Sequence, residues 1–193
     1  MSLGRLALRT AVGGLFIGHG TQKLFGWFDG HGLDNTAQMF GSLGLRPAKG
    51  HAIAAGAAEA GGGAGILLGA FTPLAGSALI ATMITAIRTV HAKNGPWATN
   101  GGYEYNLVLI AAVLALAETG PGSPSIDAAR GRESHGIGTA ALTLALGVAG
   151  AAGAQAISGR FPEESAAPQQ AAPSEPGSEP VSESSAPADA DAG

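Results

Sequence analysis

Residues 51–91 read HAIAAGAAEAGGGAGILLGAFTPLAGSALIATMITAIRTVH, and the only formal charges in this stretch are Glu59 and Arg88. Its first half, His51 to Phe71, is mostly Ala and Gly. In water this would be a poor helix, since each Gly costs about 0.8–1.0 kcal/mol relative to Ala. In lipid the same small residues let neighbouring backbones approach closely, and Gly61-x-x-x-Gly65-x-x-x-Gly69 offers a packing face. Leu74 to His91 is a second apolar run. Pro73 stands at its start, where a missing N–H is tolerated. Both runs approach the ~20 residues that a ~30 Å hydrocarbon core demands. The Phe71–Leu74 link is so short that the two predicted helices must be antiparallel neighbours.

Three more spans lie outward from this pair. Leu6 to Trp27 precedes it; Arg5 and Arg9 ahead of an apolar run also suit a secretory signal, but no small-x-small cleavage site follows, so a retained helix is expected. Tyr103 to Ala117 is short and strongly apolar, and Gly120-Pro121-Gly122 stops it. Gly136 to Ser158 is a fifth span, rich in Ala and Gly, for which an interfacial helix is the alternative. The predicted fold is all-α: an integral membrane four-helix bundle over residues 3–130, with a fifth transmembrane helix over 136–158.

Only 12% of the 193 residues are charged, about half the share of a soluble domain. From Arg160 onward stand six of the 11 prolines and seven of the 14 acids, with one basic residue. The net charge of −4 belongs to this stretch, and residues 160–193 are expected to form a disordered acidic tail that buries too little surface to fold. No basic stripe interleaved with aromatics exists, which excludes nucleic acid as a partner. The chain has no cysteine, so disulfides, thiolate nucleophiles and CxxC redox pairs are excluded. A redox role needs a bound cofactor or a partner protein. Lys and Arg divide six against four between the two faces, which leaves the membrane orientation open.

Threading the five spans brings polar side chains to one level. His19, Gln22 and Lys23 share one side of the first helix near its end. Glu59 sits about 12 Å inside the second helix at 1.5 Å per residue. Arg88 and His91 end the third, and Glu104 and Asn106 begin the fourth beside Tyr103 and Tyr105. Nearly every ionisable group of the first four helices is thus expected in one leaflet, with the other half almost purely apolar. Intramembrane charges pair or face a cavity, because an isolated one costs at least ~2.5–3.5 kcal/mol. Lys23 or Arg88 is the natural partner for Glu59. Each residue also has a plainer reading. Lys23 can snorkel to headgroups, Arg88 and His91 can mark a helix end, and Glu104 can complement a helix N-terminus. Asn106 can tie two helices together, and Glu59 can belong to a structural ion pair. His31 and His51 lie in or beside a loop, and no metal-type spacing is present.

At these residues the chain resembles the DoxX family of small bacterial membrane proteins. The likeness lies in Leu15-Phe16-x-x-His19-Gly20-x-x-Lys23-Leu24-Phe25-Gly26, in Glu59 and in Arg88 and His91. It continues through Asn100-Gly101-Gly102-Tyr103-Glu104-Tyr105-Asn106-Leu107 and Gly120-Pro121-Gly122-Ser123-x-Ser125-Ile126-Asp127, so that it covers about residues 3–130. The fifth span and the tail depart from the family's four-helix pattern. The resemblance implies a multi-pass protein of the bacterial inner membrane. Some members are similar to a subunit of a thiosulfate:quinone oxidoreductase, and others are associated with sulfur metabolism and oxidative-stress complexes.

Three functions follow as expectations. The chain is the membrane subunit of a redox complex, with His19, Lys23, Glu59, Arg88 and Asn106 as the polar end of a quinone site and a soluble protein as electron partner. Alternatively it carries a small solute or protons, in which case so few helices call for a homo-oligomer. In the third reading it is a non-catalytic scaffold whose only ligand is membrane lipid. Deleting residues 162–193 is expected to leave the body folded; loss of a monodisperse species in detergent gel filtration would contradict the boundary.

Overall fold

In the computed structural model of the chain, which describes residues 2–161, the described residues contain helices and no strand. The tail expected to be disordered lies, but for its first two residues, outside this range. The helices are α1 (Leu3–Phe25), α2 (Gly32–Ser42), α3 (Ala48–Leu68), α4 (Thr72–Ala86), α5 (Glu104–Thr119), the single turn α6 (Ile126–Ala129) and α7 (Ile137–Ser158). A π-helical turn, Ile87–His91, and a 3-10 turn, Ala92–Asn94, extend α4 into one 23-residue rod. Pro73 stands in its first turn, as the sequence predicts.

Two rods, Thr72–Asn94 and Ile137–Ser158, are long and apolar enough to cross a membrane. At 1.5 Å per residue each is about 33 Å long or slightly more, against a hydrocarbon core of ~30 Å. The other three expected spans do not reach that standard by composition and length. α1 carries Arg5, Arg9 and Lys23, α3 carries Lys49 and Glu59 among many glycines, and α5 has 16 residues.

The closest approach in the fold is between α1 and α3, which run antiparallel. A Cβ on Gly13 would sit 2.7 Å from the Gly63 carbonyl oxygen, and one on Gly20 would sit 2.6 Å from that of Gly56. Each helix thus offers two glycines seven residues apart, two turns along one stripe, and the backbones touch where any side chain would hold them apart. The expected Gly61–Gly65–Gly69 face is not the one used here. Gly61 faces open space, and Gly69 is a left-handed cap at φ 59°. A 3.6-residue helix drifts across a four-residue repeat, so α1 tracks the seven-residue stripe instead.

On its other flank α3 packs against α4, with Gly62 under Leu79 and Gly65 under Ala75. α5 packs on α4 and also reaches α1, and α7 lies against α4 and α5. Gly147 of α7 receives Ile80, and Ser77 Oγ donates to the Thr143 carbonyl at 3.1 Å. The core is Val12, Phe16, Ile66, Leu79, Ile80, Leu109, Val113 and Leu116.

The end of the molecule that carries the α3–α4 turn is not the apolar half expected. Arg9 is only 3% exposed. Its Nε donates to the Ile66 carbonyl (3.1 Å), its Nη2 to Leu67 (2.8 Å), and its Nη1 to Pro121 (3.0 Å) and Pro124 (2.8 Å). The last carbonyls of a helix have no partner within it, and the guanidinium fork supplies one. Asp127 does the reverse for α4, accepting from the Phe71 and Thr72 N–H groups and the Thr72 hydroxyl. An arginine near a chain start reads as a flanking charge because nothing local shows the carbonyls it will meet.

The glycine contact gives a direct test. Gly63→Val places methyl carbons where Gly13 and Ile17 backbone atoms already lie, so it should cost about 1–3 kcal/mol or more. Gly61→Ala, which points into open space, should not destabilise and can gain up to about 1 kcal/mol of helix propensity. Thermal unfolding of both variants in the same detergent checks the contrast.

Candidate functional site

Where α3 and α4 separate beyond their Gly62–Leu79 contact, a cavity of about 680 Å³ opens between them. Its walls are short side chains: Ala54, Ala55 and Ala58 of α3, and Ala78, Ala81 and Ala86 of α4. Alanine at these positions leaves the volume that a leucine would fill. Leu45 and the α2 residues Met39 and Phe40 close one side, with Leu43 beside them, and Gly150 and Ala154 of α7 close another. The volume falls in the range of about 300–1,000 Å³ usual for small-molecule sites, and the lining is predominantly apolar, as such sites are.

The polar groups gather at one part of the wall. Gly20 lets α1 press against Gly56 and Ala60, and Lys23, one turn further along, thereby reaches Glu59. The Lys23 Nζ to Glu59 Oε2 distance is 2.5 Å, with the carboxylate side chain 5% and the lysine side chain 24% exposed. Of the two partners proposed for Glu59, it is Lys23 that holds it. His19, His91 and Asn106 line the same cavity. His91 Nδ1 meets the Gly101 carbonyl at 2.7 Å, a contact in which Nδ1 is the donor and Nε2 is left as an acceptor. Asn106 is buried and its amide donates to Met83 Sδ at 3.3 Å, a weak acceptor.

Arg88 and Glu104 stand apart from this group. Arg88 is exposed and does not line the cavity. In an α-helix it would share a side with His91; the wider i→i+5 turn at Ile87–His91 separates residues three apart. Glu104 Oε1 accepts the Ala98 N–H at 2.9 Å and fastens the loop ahead of α5. That is the plainer reading of this residue, a carboxylate at a helix start.

Several cavity residues carried no signal in the spans. α2 lies in a stretch too polar to be a span, yet Leu33, Ala37, Phe40 and Leu43 recur at helical spacing, which marks an amphipathic helix. His51, expected in or beside a loop, is in the first turn of α3 and lines the cavity. Its Nε2 lies 3.0 Å from the Arg46 carbonyl and 3.1 Å from Ser158 Oγ, so it fastens the end of α7 to the start of α3. Among the described residues no three His, Asp or Glu side chains are grouped as metal ligands would be.

An apolar chamber with one ion pair and three imidazoles, those of His19, His51 and His91, on its wall suits an amphiphile with a polar head. The DoxX family model matches residues 4–92, from α1 through the π-helical turn. A Bacillus subtilis (strain 168) protein named "Putative oxidoreductase CatD" is 36% identical over 114 residues, which cover 59% of this chain and 78% of that protein. The chain belongs to the DoxX family. No solved structure matches it. The DoxX match contains His19, Lys23, Glu59 and His91, whereas Asn106 and the cavity-lining residues of α7 lie beyond it.

Because Glu59 is nearly enclosed, Lys23→Met leaves a carboxylate with no counter-charge. That single change should destabilise by about 3 kcal/mol, and Lys23→Met with Glu59→Gln should recover most of the loss. A double-mutant cycle on unfolding in detergent measures this; additive losses would mean that the pair is not coupled.

Proposed function

We propose that this DoxX protein is a multi-pass protein of the bacterial inner membrane and the membrane subunit of a redox complex, with its cavity as the seat of a quinone. In this reading α1, α3, α4 and α5 form a four-helix transmembrane bundle and α7 is a fifth span. The observation that carries it is the pairing of a long apolar chamber with the Lys23–Glu59 ion pair on its wall. The CatD relative, whose printed name is that of an oxidoreductase, points the same way.

The residues present fit such a group. A quinone head needs hydrogen-bond donors at its carbonyl oxygens and an apolar slot for its tail. The Lys23 ammonium and the Asn106 amide are donors on this wall, and alanines of α3 and α4 make the slot. When bound, a quinone accepts two electrons and two protons and leaves as the quinol. The chain has no cysteine for thiol redox chemistry, and in this reading a partner protein supplies the electrons. Lys23 holds the Glu59 carboxylate in place. His91, its Nδ1 tied to Gly101, turns a basic nitrogen to accept or relay a proton. The α2 side chains Met39 and Phe40 cover one side of the cavity.

The test is binding of ubiquinone or menaquinone by the protein in nanodiscs, read by lipid-extract mass spectrometry against empty nanodiscs. Wild type should hold about one quinone per protein, and Lys23→Met with Glu59→Gln, which removes the charged donor without stranding the carboxylate, should hold at least about tenfold less, given the worth of a hydrogen bond to a charged group. Quinone at background level in both would overturn the reading. Glu59-dependent proton or solute flux in liposomes without quinone would put transport in its place.

A further inference from the structure

We propose that a second hollow, at the opposite end of the Thr72–Asn94 rod, binds the head and upper acyl chains of an anionic phospholipid. It encloses about 310 Å³ and is lined by Phe71, Pro73, Leu74, Asp127, Arg130, Arg132 and Ser134. The inference rests on that rod crossing the membrane, but not on the quinone reading.

Three observations converge here. Arg130 and Arg132 are exposed, and among the described residues neither has a carboxylate within ion-pair distance. The carboxylate in the hollow is already committed. Asp127 takes the Phe71 N–H at 2.9 Å on Oδ1, and the Thr72 N–H at 3.0 Å and hydroxyl at 2.9 Å on Oδ2. Glu133, next to Arg132 in sequence, does not line the hollow. The two guanidinium groups are therefore open to an external anion, and their planar forks match a phosphodiester.

The facing wall is apolar and exposed. Phe71 is 61% and Leu74 66% exposed, large for side chains of this type. Phe71 is also left-handed, at φ 49°, a conformation that glycine adopts freely and a phenylalanine does not. The Asp127 contact to its N–H holds it there. A bulky ring kept in an unfavourable backbone conformation, pointing outward beside two arginines, makes no sense for the packing of this chain alone. It does suit contact with acyl chains, because the rod that begins at Thr72 is apolar and a span's first turn lies at headgroup depth. A simple inorganic anion would use the arginines and leave Phe71 and Leu74 without a role. A zwitterionic lipid would use the apolar wall and bring a cation against the arginines.

The full chain in mild detergent is titrated with phosphatidylglycerol, phosphatidylcholine or inorganic phosphate, and the shift in apparent melting temperature and the lipid retained in native mass spectrometry are read together. Phosphatidylglycerol should stabilise and be retained; the other two should do neither. Arg130→Gln with Arg132→Gln should weaken phosphatidylglycerol binding about tenfold or more, from the attraction of each arginine for anionic lipid. Lys93→Gln, at the far end of the same rod, should leave it unchanged. Phe71→Gly, which keeps the left-handed backbone and removes the ring, should weaken it to a lesser degree. If the double glutamine variant does not fold, Arg130→Lys with Arg132→Lys serves, expected to bind phosphatidylglycerol more weakly than wild type because ammonium groups lack the planar fork; unchanged binding there would overturn the proposal. Equal retention in the double glutamine variant overturns the proposal. So does phosphate stabilising as well as the lipid, which would make this a plain anion site. A protein that remains monodisperse without detergent would overturn the spanning reading itself.

Discussion

The α1–α3 contact is the constraint on which the rest of the molecule depends. Gly13 on Gly63 and Gly20 on Gly56 bring two backbones as near as helices can come. Such an interface gains its stability from van der Waals contact between closely apposed backbones. It also fixes where the polar side chains go. Lys23 lies three residues beyond Gly20 and Glu59 three beyond Gly56, steps that run apart on antiparallel helices, and the two side chains lean back toward the Gly20–Gly56 contact to meet. The close approach at those glycines is what brings them within reach. Were the helices held even a methyl group further apart, the lysine would have to reach further for its carboxylate.

The same small residues that permit close approach on one flank of α3 create space on another. Gly62 lies under Leu79, but one to two turns earlier the residues facing α4 are Ala58, Ala55 and Ala54, and no large side chain answers them. A cavity of this size is unfavourable in a well-packed protein, because its lining forfeits dispersion contacts that a filled core would make. Its polar wall adds a desolvated carboxylate whose pairing with lysine at best offsets the desolvation. The two unfavourable features lie in one place, whereas the Arg9–Asp127 end is fully satisfied by backbone partners. A structure that concentrates its sacrifices at one end and its reinforcement at the other is consistent with a site at the first and an anchor at the second.

How much of this was legible in the sequence depends on whether the signal was local. Pro73 and the short link fix the antiparallel pair, and both follow from residue types alone. The convergence of His19, Lys23, Glu59, His91 and Asn106 follows from helix direction and rise, which is why threading the spans brings them together. Arg88 escaped that logic because a π-helical turn, invisible in periodicity, changes the register over five residues. Arg9 escaped it because its partners are backbone carbonyls more than fifty residues away. The Gly61–Gly65–Gly69 repeat is an attractive pattern on paper. The face that packs is decided by what the opposing helix offers, and Gly13 and Gly20 offer a seven-residue stripe.

α7 changes how the site should be understood. It lies outside the matched DoxX residues 4–92, yet Gly150 and Ala154 supply cavity wall, and Ser158 joins His51 at the start of α3. Ser158 also accepts the Arg46 N–H at 3.2 Å and is itself 6% exposed. Without α7, the cleft between α3 and α4 would open sideways along the run from Ala78 to Ala86. With it, the cleft becomes a chamber whose depth is set by a glycine and an alanine. The fifth helix is therefore a structural determinant of what the chamber can admit, and α2 is its counterpart on the other side. A DoxX chain that ends after its fourth long helix would present the same ion pair in an open groove, and the two forms would differ in the girth of ligand they hold before they differed in chemistry.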